Sequence, residues 1–301
     1  MNYRKKLVVE PGSKVRLADI DPAYRGRHES HEETRPEIEK HVQRMDALQY
    51  LMYSEKKHAL LIVLQGLDAG GKDGVIRHVI SGMNPAGCRV AGFKGPTSEE
   101  LAHDFLWRVH PHAPARGEVA IFNRSHYEDV LVARVHGLVP KAVWAPRYQL
   151  INDFEKLLAV ENATTILKFF LYISKDEQLA RFEERLDTPA KNWKISDADY
   201  KEREYWDQYE AAFEDVLSKT STKHAPWFVI PANHKWFRDL AISAIIVDAM
   251  QAMKMRPPEP TVDLAEIRRL YHAAAATQDG RGSHKNKRAE QKVPLPRPAG
   301  R

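Results

Sequence analysis

Residues 60–74, which read LLIVLQGLDAGGKDG, constrain the fold of this chain more than any other stretch. The first five residues are apolar and include the β-branched Ile62 and Val63, a pattern typical of a strand buried on both faces of a parallel sheet. A glycine-rich turn follows directly, and Val75 and Ile76 then begin a helical spacing of apolar residues. This order of strand, glycine loop and helix predicts a phosphate-binding loop in an α/β domain.

The glycine turn itself has the spacing of a phosphate-binding loop. Gly66, Gly71 and Lys72 match G-x-x-x-x-G-K, in which backbone N–H groups converge on an anion that the lysine neutralises. We therefore predict that Lys72 is catalytic. The loop residues predicted to bind phosphate or nucleotide are Gly66, Ala69, Gly70, Gly71, Asp73 and Gly74. The alternative is an ordinary glycine turn between a core strand and a helix.

Two carboxylates distinguish this loop from the usual pattern. Asp73 stands where a Ser or Thr normally binds magnesium, and Asp68 lies inside the loop. Two carboxylates beside a phosphate site would repel the ligand unless a cation lies between them. The sequence therefore predicts Mg²⁺ held by acidic side chains, with Asp68 as a ligand.

Charge is unevenly distributed along the 301 residues. Residues 277–301 contain seven Lys or Arg and two acids, whereas residues 1–276 contain 39 of each sign. Any affinity of the body for a polyanion must therefore come from a local basic groove. There is no apolar run long enough to span a membrane and no signal pattern, so we expect a soluble, cytoplasmic protein. The single cysteine, Cys88, excludes an internal disulfide and a cysteine-built zinc site.

Strand-like and helical segments alternate, which predicts an α/β fold with a doubly wound parallel sheet. Besides residues 60–64, strands are predicted at 88–93, 119–122, 164–173 and 226–231, and long helices at 31–57, 97–109 and 197–218, among others. We expect an extended N-terminal arm over residues 1–30 and one kinase-like domain over residues 31–256. Residues 257–301 would be a C-terminal extension, with a disordered basic tail from about residue 277.

Polar residues follow the strand predicted at 119–122. Asn123 and Arg124 come directly after it, and Glu128 and Arg134 lie on the helix that follows. Parallel sheets bind ligands at the carboxyl ends of their strands, so this segment should face the phosphate loop. A solvated helix face is the alternative for Glu128 and Arg134.

A cationic loop separates two predicted helices further along the chain. The segment TPAKNWKIS at residues 188–196 carries Lys191, Lys194 and a tryptophan. Such a segment is either a mobile lid over phosphates or a basic surface loop. We place the lid at about residues 186–199.

Four motifs in this order resemble the polyphosphate kinase 2 family: GLDAGGKDG at 66–74, FNRSHYEDVLVARV at 122–135, KNWKISDAD at 191–199 and APWFVIPANHKWFRDL at 225–240. The resemblance covers about residues 30–255. It implies a fold similar to P-loop nucleotide kinases with a helical lid. It also implies Mg²⁺-dependent, reversible transfer of a terminal phosphoryl group between inorganic polyphosphate and a nucleotide.

The resemblance also assigns roles to residues. It implies that Asp68 and Glu128 hold Mg²⁺ (or Mn²⁺), that Arg124, Arg134 and Arg185 brace the transferred group, and that Lys94, Asn123, Lys191 and Lys194 bind phosphate or nucleotide. Asn123 together with Glu128 is similar to the branch that phosphorylates AMP as well as ADP, giving ADP and ATP. We further expect a homo-oligomer without membrane or nucleic-acid partners. The competing interpretations are an ATP-dependent nucleoside monophosphate kinase and a non-catalytic polyanion-binding protein.

Overall fold

The computed structural model describes residues 2–285, with side chains to residue 276. In chain order its helices and strands are α1 (Tyr3–Leu7), α2 (His31–Glu55), β1 (Ala59–Gln65), α3 (Lys72–His78), β2 (Cys88–Gly92), α4 (Ser98–Leu101), β3 (Val119–Asn123), α5 (Glu128–Val135), α6 (Lys141–Trp144), α7 (Arg147–Glu161), β4 (Thr164–Tyr172), α8 (Lys175–Asp187), α9 (Asp197–Arg203), α10 (Trp206–Thr220), β5 (Trp227–Pro231), α11 (Lys235–Ala252) and α12 (Leu264–Lys285). Short 3₁₀ helices lie at Leu17–Asp19, Ile80–Gly82, Pro85–Gly87, His110–His112 and Pro189–Lys194.

The five strands form one parallel sheet in the order β2-β3-β1-β4-β5, which confirms the predicted doubly wound α/β fold. The central strand β1 is buried along its whole length, because both of its faces are covered by helices. In the register of the sheet, Leu64 of β1 pairs with Asn123 at the end of β3. The loops that leave β1 and β3 therefore start side by side at the carboxyl edge.

Alternate side chains of β1 enter two different cores. Leu60, Ile62 and Leu64 pack with residues of α2, α3 and α11, whereas Leu61 and Val63 pack with residues of α5, α7 and α10. This division follows from the two-residue period of a strand. The helices cover the two faces of the sheet, and the loops that follow the strands meet at its carboxyl edge.

The N-terminal segment differs from the extended surface arm that we expected. It contains α1, and Tyr3 is buried. Val8 forms an antiparallel bridge with Phe228, and the Val9 N–H donates to the Trp227 carbonyl across 2.8 Å. The segment thus covers β5, which is an edge strand with otherwise unpaired backbone groups.

Two of the predicted long helices are wrong in length. Only Ser98–Leu101 is helical in the segment 97–109, where Asp104 Oδ1 accepts from the Leu106 N–H at 3.0 Å, a local turn that competes with a helix. The predicted helix 197–218 is divided into α9 and α10. Side chains of α9 are held by other elements, since Arg203 donates to the Lys175 carbonyl at 2.6 Å.

The chain divides into two compact units, one ending at Pro257 and the other beginning at Pro258. In the second unit α12 continues to Lys285, so residues 277–285 are helical where we expected disorder. The preceding alanines 273–276 have the highest helix propensity of any residue, which favours continuation. The rest of the basic tail, residues 286–301, lies outside the described residues. Over residues 2–285, no helix has both the length and the hydropathy that a bilayer crossing requires.

Candidate active site

The phosphate loop joins the end of β1 to the start of α3, as the sequence predicts. Gly71 has φ +101°, a conformation that other residues rarely adopt, and a Cβ there would also displace the guanidinium of Arg238, so the position favours glycine. Lys72 is the first residue of α3, and its Nζ donates to the Gly66 carbonyl at 2.7 Å and to the Leu67 carbonyl at 3.3 Å. The Lys72 side chain therefore lies against the loop, where its ammonium can neutralise a bound phosphate.

Burial lowers the pKa of Lys72, and the nearby charges of Asp68 and Arg124 respectively oppose and reinforce this shift. The charged form of the lysine is thus poorly solvated. A phosphate bound in the loop would place negative charge beside this ammonium and stabilise its charged form. Lys72 is accordingly the residue of the loop whose charge a bound phosphate would stabilise.

Three charged residues come together beside the loop. Arg124 Nη2 lies 2.8 Å from Asp68 Oδ1, and Arg124 Nη1 lies 3.4 Å from Glu128 Oε2. Arg124 follows β3 directly and has φ +62°, a left-handed conformation that is unusual outside glycine. Its N–H donates to the Leu64 carbonyl at 3.1 Å, which fixes the turn against β1. The predicted residues Asp68, Arg124 and Glu128 therefore form one cluster.

Glu128 begins α5, and its carboxylate is held by two neighbours. Burial raises its pKa, whereas the Arg124 guanidinium lowers it in opposition. Gln65 Nε2 donates to Glu128 Oε1 at 3.0 Å. We did not predict this role for Gln65, although a polar residue that ends an otherwise apolar buried strand was a visible signal.

Asn123 connects β3 to the phosphate loop. Its Nδ2 donates to Asp73 Oδ1 at 2.8 Å, and Lys194 Nζ lies 4.0 Å from Asp73 Oδ2. Asp73 is exposed, so its carboxylate remains accessible to a cation or a ligand. These contacts bring one lid residue and one strand-end residue to the same loop position.

The segment that we predicted to be a lid, at about residues 186–199, makes ion pairs with the rest of the chain. Glu184 binds Lys191 Nζ at 2.6 Å and Lys235 Nζ at 2.8 Å, and the hydrogen bonds from these lysines lower the pKa of Glu184 to about 2. Arg185 Nη1 donates to the Lys194 carbonyl at 2.9 Å and lies 3.6 Å from an oxygen of Asp199. Arg185 thus contacts the predicted lid segment, and Lys191 is paired with Glu184.

Arg134 lies outside this cluster in the structure, and its role in bracing the transferred group stays a prediction. Its Nη1 lies 2.6 Å from Asp215 Oδ2 and donates to the Tyr148 hydroxyl at 3.3 Å. Arg134 follows Glu128 by six residues, which places the two side chains roughly 120° apart around α5.

Lys94 is exposed in the loop that follows β2, and its carbonyl accepts a hydrogen bond from Arg108 at 2.7 Å.

The phosphate loop is also held by side chains of α8 and α11 that the sequence analysis did not assign to the site. Arg181 Nη1 donates to the Ala69 carbonyl at 2.8 Å, and Gln178 Nε2 donates to the Asp68 carbonyl at 2.9 Å. Arg238 is buried against Gly71. Their sequence signal was weak, because an arginine on an amphipathic helix normally faces solvent.

The donor set fits a divalent cation that is shared with a phosphate. Asp68 and Glu128 offer carboxylate oxygens on either side of Arg124. No group of three or more His, Cys, Asp or Glu in the described part of the chain could hold a metal by itself. Mg²⁺ is commonly bound by one or two carboxylates together with substrate phosphates, which is the arrangement these residues allow.

Comparison with known proteins gives one consistent result. A family model described as Polyphosphate kinase 2 matches residues 28–258. The chain is 50% identical to an AMP/ADP-polyphosphate phosphotransferase of Meiothermus ruber, over 85% of this chain and 96% of that protein. It is 45% identical to an ADP-polyphosphate phosphotransferase of Rhodopseudomonas palustris, over 85% of this chain and 93% of that protein. The crystal structure of a polyphosphate kinase 2 from Arthrobacter aurescens TC1 has a TM-score of 0.87 at 41% identity, and covers 91% of this chain and 97% of that one.

Proposed function

Because this chain belongs to the polyphosphate kinase 2 family, we propose that it transfers the terminal phosphoryl group of inorganic polyphosphate to AMP and to ADP, with Mg²⁺ and reversibly. The chain is an enzyme, a phosphotransferase, and the Meiothermus ruber and Rhodopseudomonas palustris relatives match it over nearly their whole length. The observation that carries the proposal is the convergence of Lys72, Arg124 and the two carboxylates at one edge of the sheet.

Phosphoryl transfer needs alignment and neutralisation of charge more than covalent chemistry. In our proposal Lys72 and the loop N–H groups bind one phosphate chain. Arg124 lies between the carboxylates of Asp68 and Glu128, and turns toward the transferred group when a phosphate competes for it. The acceptor oxygen of AMP or ADP is already an oxyanion, so no general base is needed.

Asp68 and Glu128 are the residues that would hold Mg²⁺, and Mn²⁺ is an alternative with the same oxygen preference. The bound cation supplies positive charge that reduces the repulsion between the donor and acceptor phosphates. Asp73 stays accessible for the same purpose and is held by Asn123 at 2.8 Å. Reversibility has a chemical basis, because the bond broken and the bond formed are both phosphoanhydrides.

Polyphosphate has no base or sugar, so it must be recognised by a track of cations. Lys194 lies 4.0 Å from Asp73, close enough to the phosphate loop to contribute to such a track. Lys191 and Lys94 extend it in our proposal, and Arg185 keeps the lid in shape through the Lys194 carbonyl. The AMP-accepting subclass is supported by Asn123 and Glu128, both of which face the loop.

The experiment that tests the proposal exchanges the phosphoryl donor. Purified protein is incubated with AMP and either long-chain polyphosphate or ATP, with and without Mg²⁺, and nucleotides are separated by chromatography. We expect ADP to form rapidly with polyphosphate and only when Mg²⁺ is present. Faster conversion with ATP would favour the nucleoside monophosphate kinase, and binding of polyphosphate without turnover would favour the polyanion-binding protein.

A further inference from the structure

A network of buried polar side chains lies behind the turn that carries Arg124 and Glu128. Lys168 of β4 and Glu155 of α7 have no exposed side-chain surface, and Lys168 Nζ lies 2.6 Å from Glu155 Oε2. Lys168 also donates to the Tyr127 hydroxyl at 2.8 Å and to the Thr220 carbonyl at 2.6 Å. The network therefore joins β4, α7 and the end of α10 to the residue that precedes Glu128.

The second oxygen of Glu155 holds the same turn. Glu155 Oε1 accepts from the Tyr127 hydroxyl at 2.9 Å and from His126 Nε2 at 3.2 Å. Burial would raise the pKa of Glu155, but the adjacent Lys168 ammonium and His126 lower it, so the carboxylate is ionised and can only accept. Two consecutive residues of the turn, His126 and Tyr127, are thus held from one carboxylate.

Stability alone is a weak reason for this network. Replacing a buried ion pair by apolar residues of similar volume is often neutral or stabilising, because the two charges must be removed from water. What distinguishes this pair is its contact with the 123–128 turn, whose other side chains reach the phosphate loop. Arg124 in that turn has a left-handed backbone, and such a conformation persists only where the surroundings fix it.

We propose that Tyr127, Glu155 and Lys168 are positioning residues, which hold the 123–128 turn from behind and thereby orient Arg124 and Glu128 toward the phosphates. The inference rests on the proposed function of Arg124 and Glu128. None of the three needs to contact a substrate, since all are fully buried. Their contribution is the alignment of the cluster, and misplacement of a reacting group by about 1 Å can lower a rate by two orders of magnitude.

The most conservative test removes one hydroxyl. Tyr127→Phe keeps the ring but removes the hydroxyl that donates to Glu155 and accepts from Lys168, while the direct Lys168–Glu155 ion pair remains. Tyr3→Phe is the matched control, because Tyr3 is also buried and its hydroxyl lies 3.0 Å from His28 Nε2 in the N-terminal segment. At equal folded fractions we expect kcat of Tyr127→Phe to fall about tenfold, with both KM values within about twofold of wild type, and Tyr3→Phe to keep wild-type kcat. A kcat for Tyr127→Phe equal to that of Tyr3→Phe, or a loss confined to KM, would overturn the proposal.

A cycle with Arg124 then tests whether Tyr127 acts through that residue. In the background of Arg124→Ala, the same Tyr127→Phe change should lower kcat by much less than tenfold, because the group to be oriented is gone. Equal losses in both backgrounds would exclude action through Arg124. Failure of the proposed function itself is distinguishable, since wild type would then show no polyphosphate-dependent turnover.

A volume-conserving double variant covers the case in which Tyr127→Phe is unstable. Lys168→Met/Glu155→Leu removes both buried charges together, so neither is left unpaired. Circular dichroism and thermal unfolding establish whether it is folded at the assay temperature. We expect a folded protein with kcat lowered at least as far as in Tyr127→Phe; wild-type kcat in this variant would contradict the proposal. If the double variant does not fold, kcat of Tyr127→Phe is compared with those of Tyr3→Phe and wild type at a lower temperature at which circular dichroism shows all three folded, and the criteria given above decide.

Discussion

The side-chain amide of Asn123 donates a hydrogen bond to Asp73 Oδ1 across 2.8 Å, and so connects the end of β3 to the first turn of α3. An amide at this position tolerates an ionised Asp73 beside it, whereas a carboxylate would not. Two carboxylates at hydrogen-bond distance repel each other unless one is protonated or a cation lies between them. The identity of residue 123 therefore affects how strongly a cation is attracted to the Asp73 carboxylate.

Asn123→Asp should consequently lower the Mg²⁺ concentration at which the rate is half-maximal, by roughly tenfold if the bound cation relieves about 1.4 kcal/mol of added repulsion. Asn84→Asp is the matched control, because Asn84 Oδ1 only accepts from the Ala86 N–H and Asp keeps that oxygen. The measurement is the initial rate against Mg²⁺ at fixed polyphosphate and AMP. An unchanged Mg²⁺ dependence in Asn123→Asp would show that the Asn123–Asp73 contact has no part in cation binding.

Lys72→Ala should lose about two orders of magnitude or more in kcat while the protein stays folded, because the ammonium neutralises charge that develops during transfer. Lys156→Ala changes an exposed lysine on α7 and should keep wild-type activity. Rates are measured with AMP and polyphosphate, and the fold is checked by circular dichroism. Near-normal turnover in a folded Lys72→Ala variant would remove the phosphate-loop assignment.

The pH dependence at the alkaline side should report Lys72. Burial lowers its pKa below the usual 10.5, so in the free enzyme the charge is lost as pH rises through that lowered value. Bound phosphate favours the charged form and raises the pKa. We therefore expect kcat/KM to fall as the pH rises, with a midpoint at a pH lower than 10.5. The fall in kcat should have its midpoint at a higher pH than the fall in kcat/KM.

Lys72→Arg provides the control for that titration, since a guanidinium stays charged over the whole range. Its residual activity should lack the alkaline decline. The same decline in Lys72→Arg as in wild type would assign the titration to another group.

Glu128→Ala should lower the rate with AMP more than the rate with ADP. The carboxylate contacts Arg124 and Gln65 at the edge of the cluster, where it can help to place a metal or the shorter acceptor. Gln65→Ala, which removes only the support of Glu128, should show the same preference to a smaller extent. The two acceptors are compared in parallel at saturating polyphosphate. Equal losses on both acceptors would exclude a role of Glu128 in acceptor selection.

The sheet was largely predictable from the sequence. Every predicted strand agrees with the structure to within one residue at each end, because buried parallel strands read as short apolar runs bounded by turn residues. The same runs, together with the glycine spacing, identified the loop at residues 66–74. Helix lengths were less predictable. Asp104 forms a local turn and Arg203 binds the Lys175 carbonyl, and neither contact can be inferred from helical periodicity.

In the candidate site, the sequence identified the residues adjacent to strand ends but not their supports. Asp68, Arg124 and Glu128 follow strands that are neighbours in the sheet, so the parallel topology alone brings them together. Arg134 pairs with Asp215, a contact that the sequence did not indicate because a motif does not show which face of a helix is turned to the site. Arg181 contacts the Ala69 carbonyl from a helix more than a hundred residues later, a tertiary contact without a local signal.

The central claim is that one site phosphorylates both AMP and ADP from polyphosphate. The most direct measurement is a time course in which wild-type protein receives AMP, Mg²⁺ and long-chain polyphosphate, and AMP, ADP and ATP are resolved by chromatography at each point. The account predicts that ADP accumulates first and ATP follows, that the same protein converts added ADP to ATP, and that Lys72→Ala slows both steps together. Absence of any polyphosphate-dependent nucleotide product, or loss of only one step in Lys72→Ala, would contradict it.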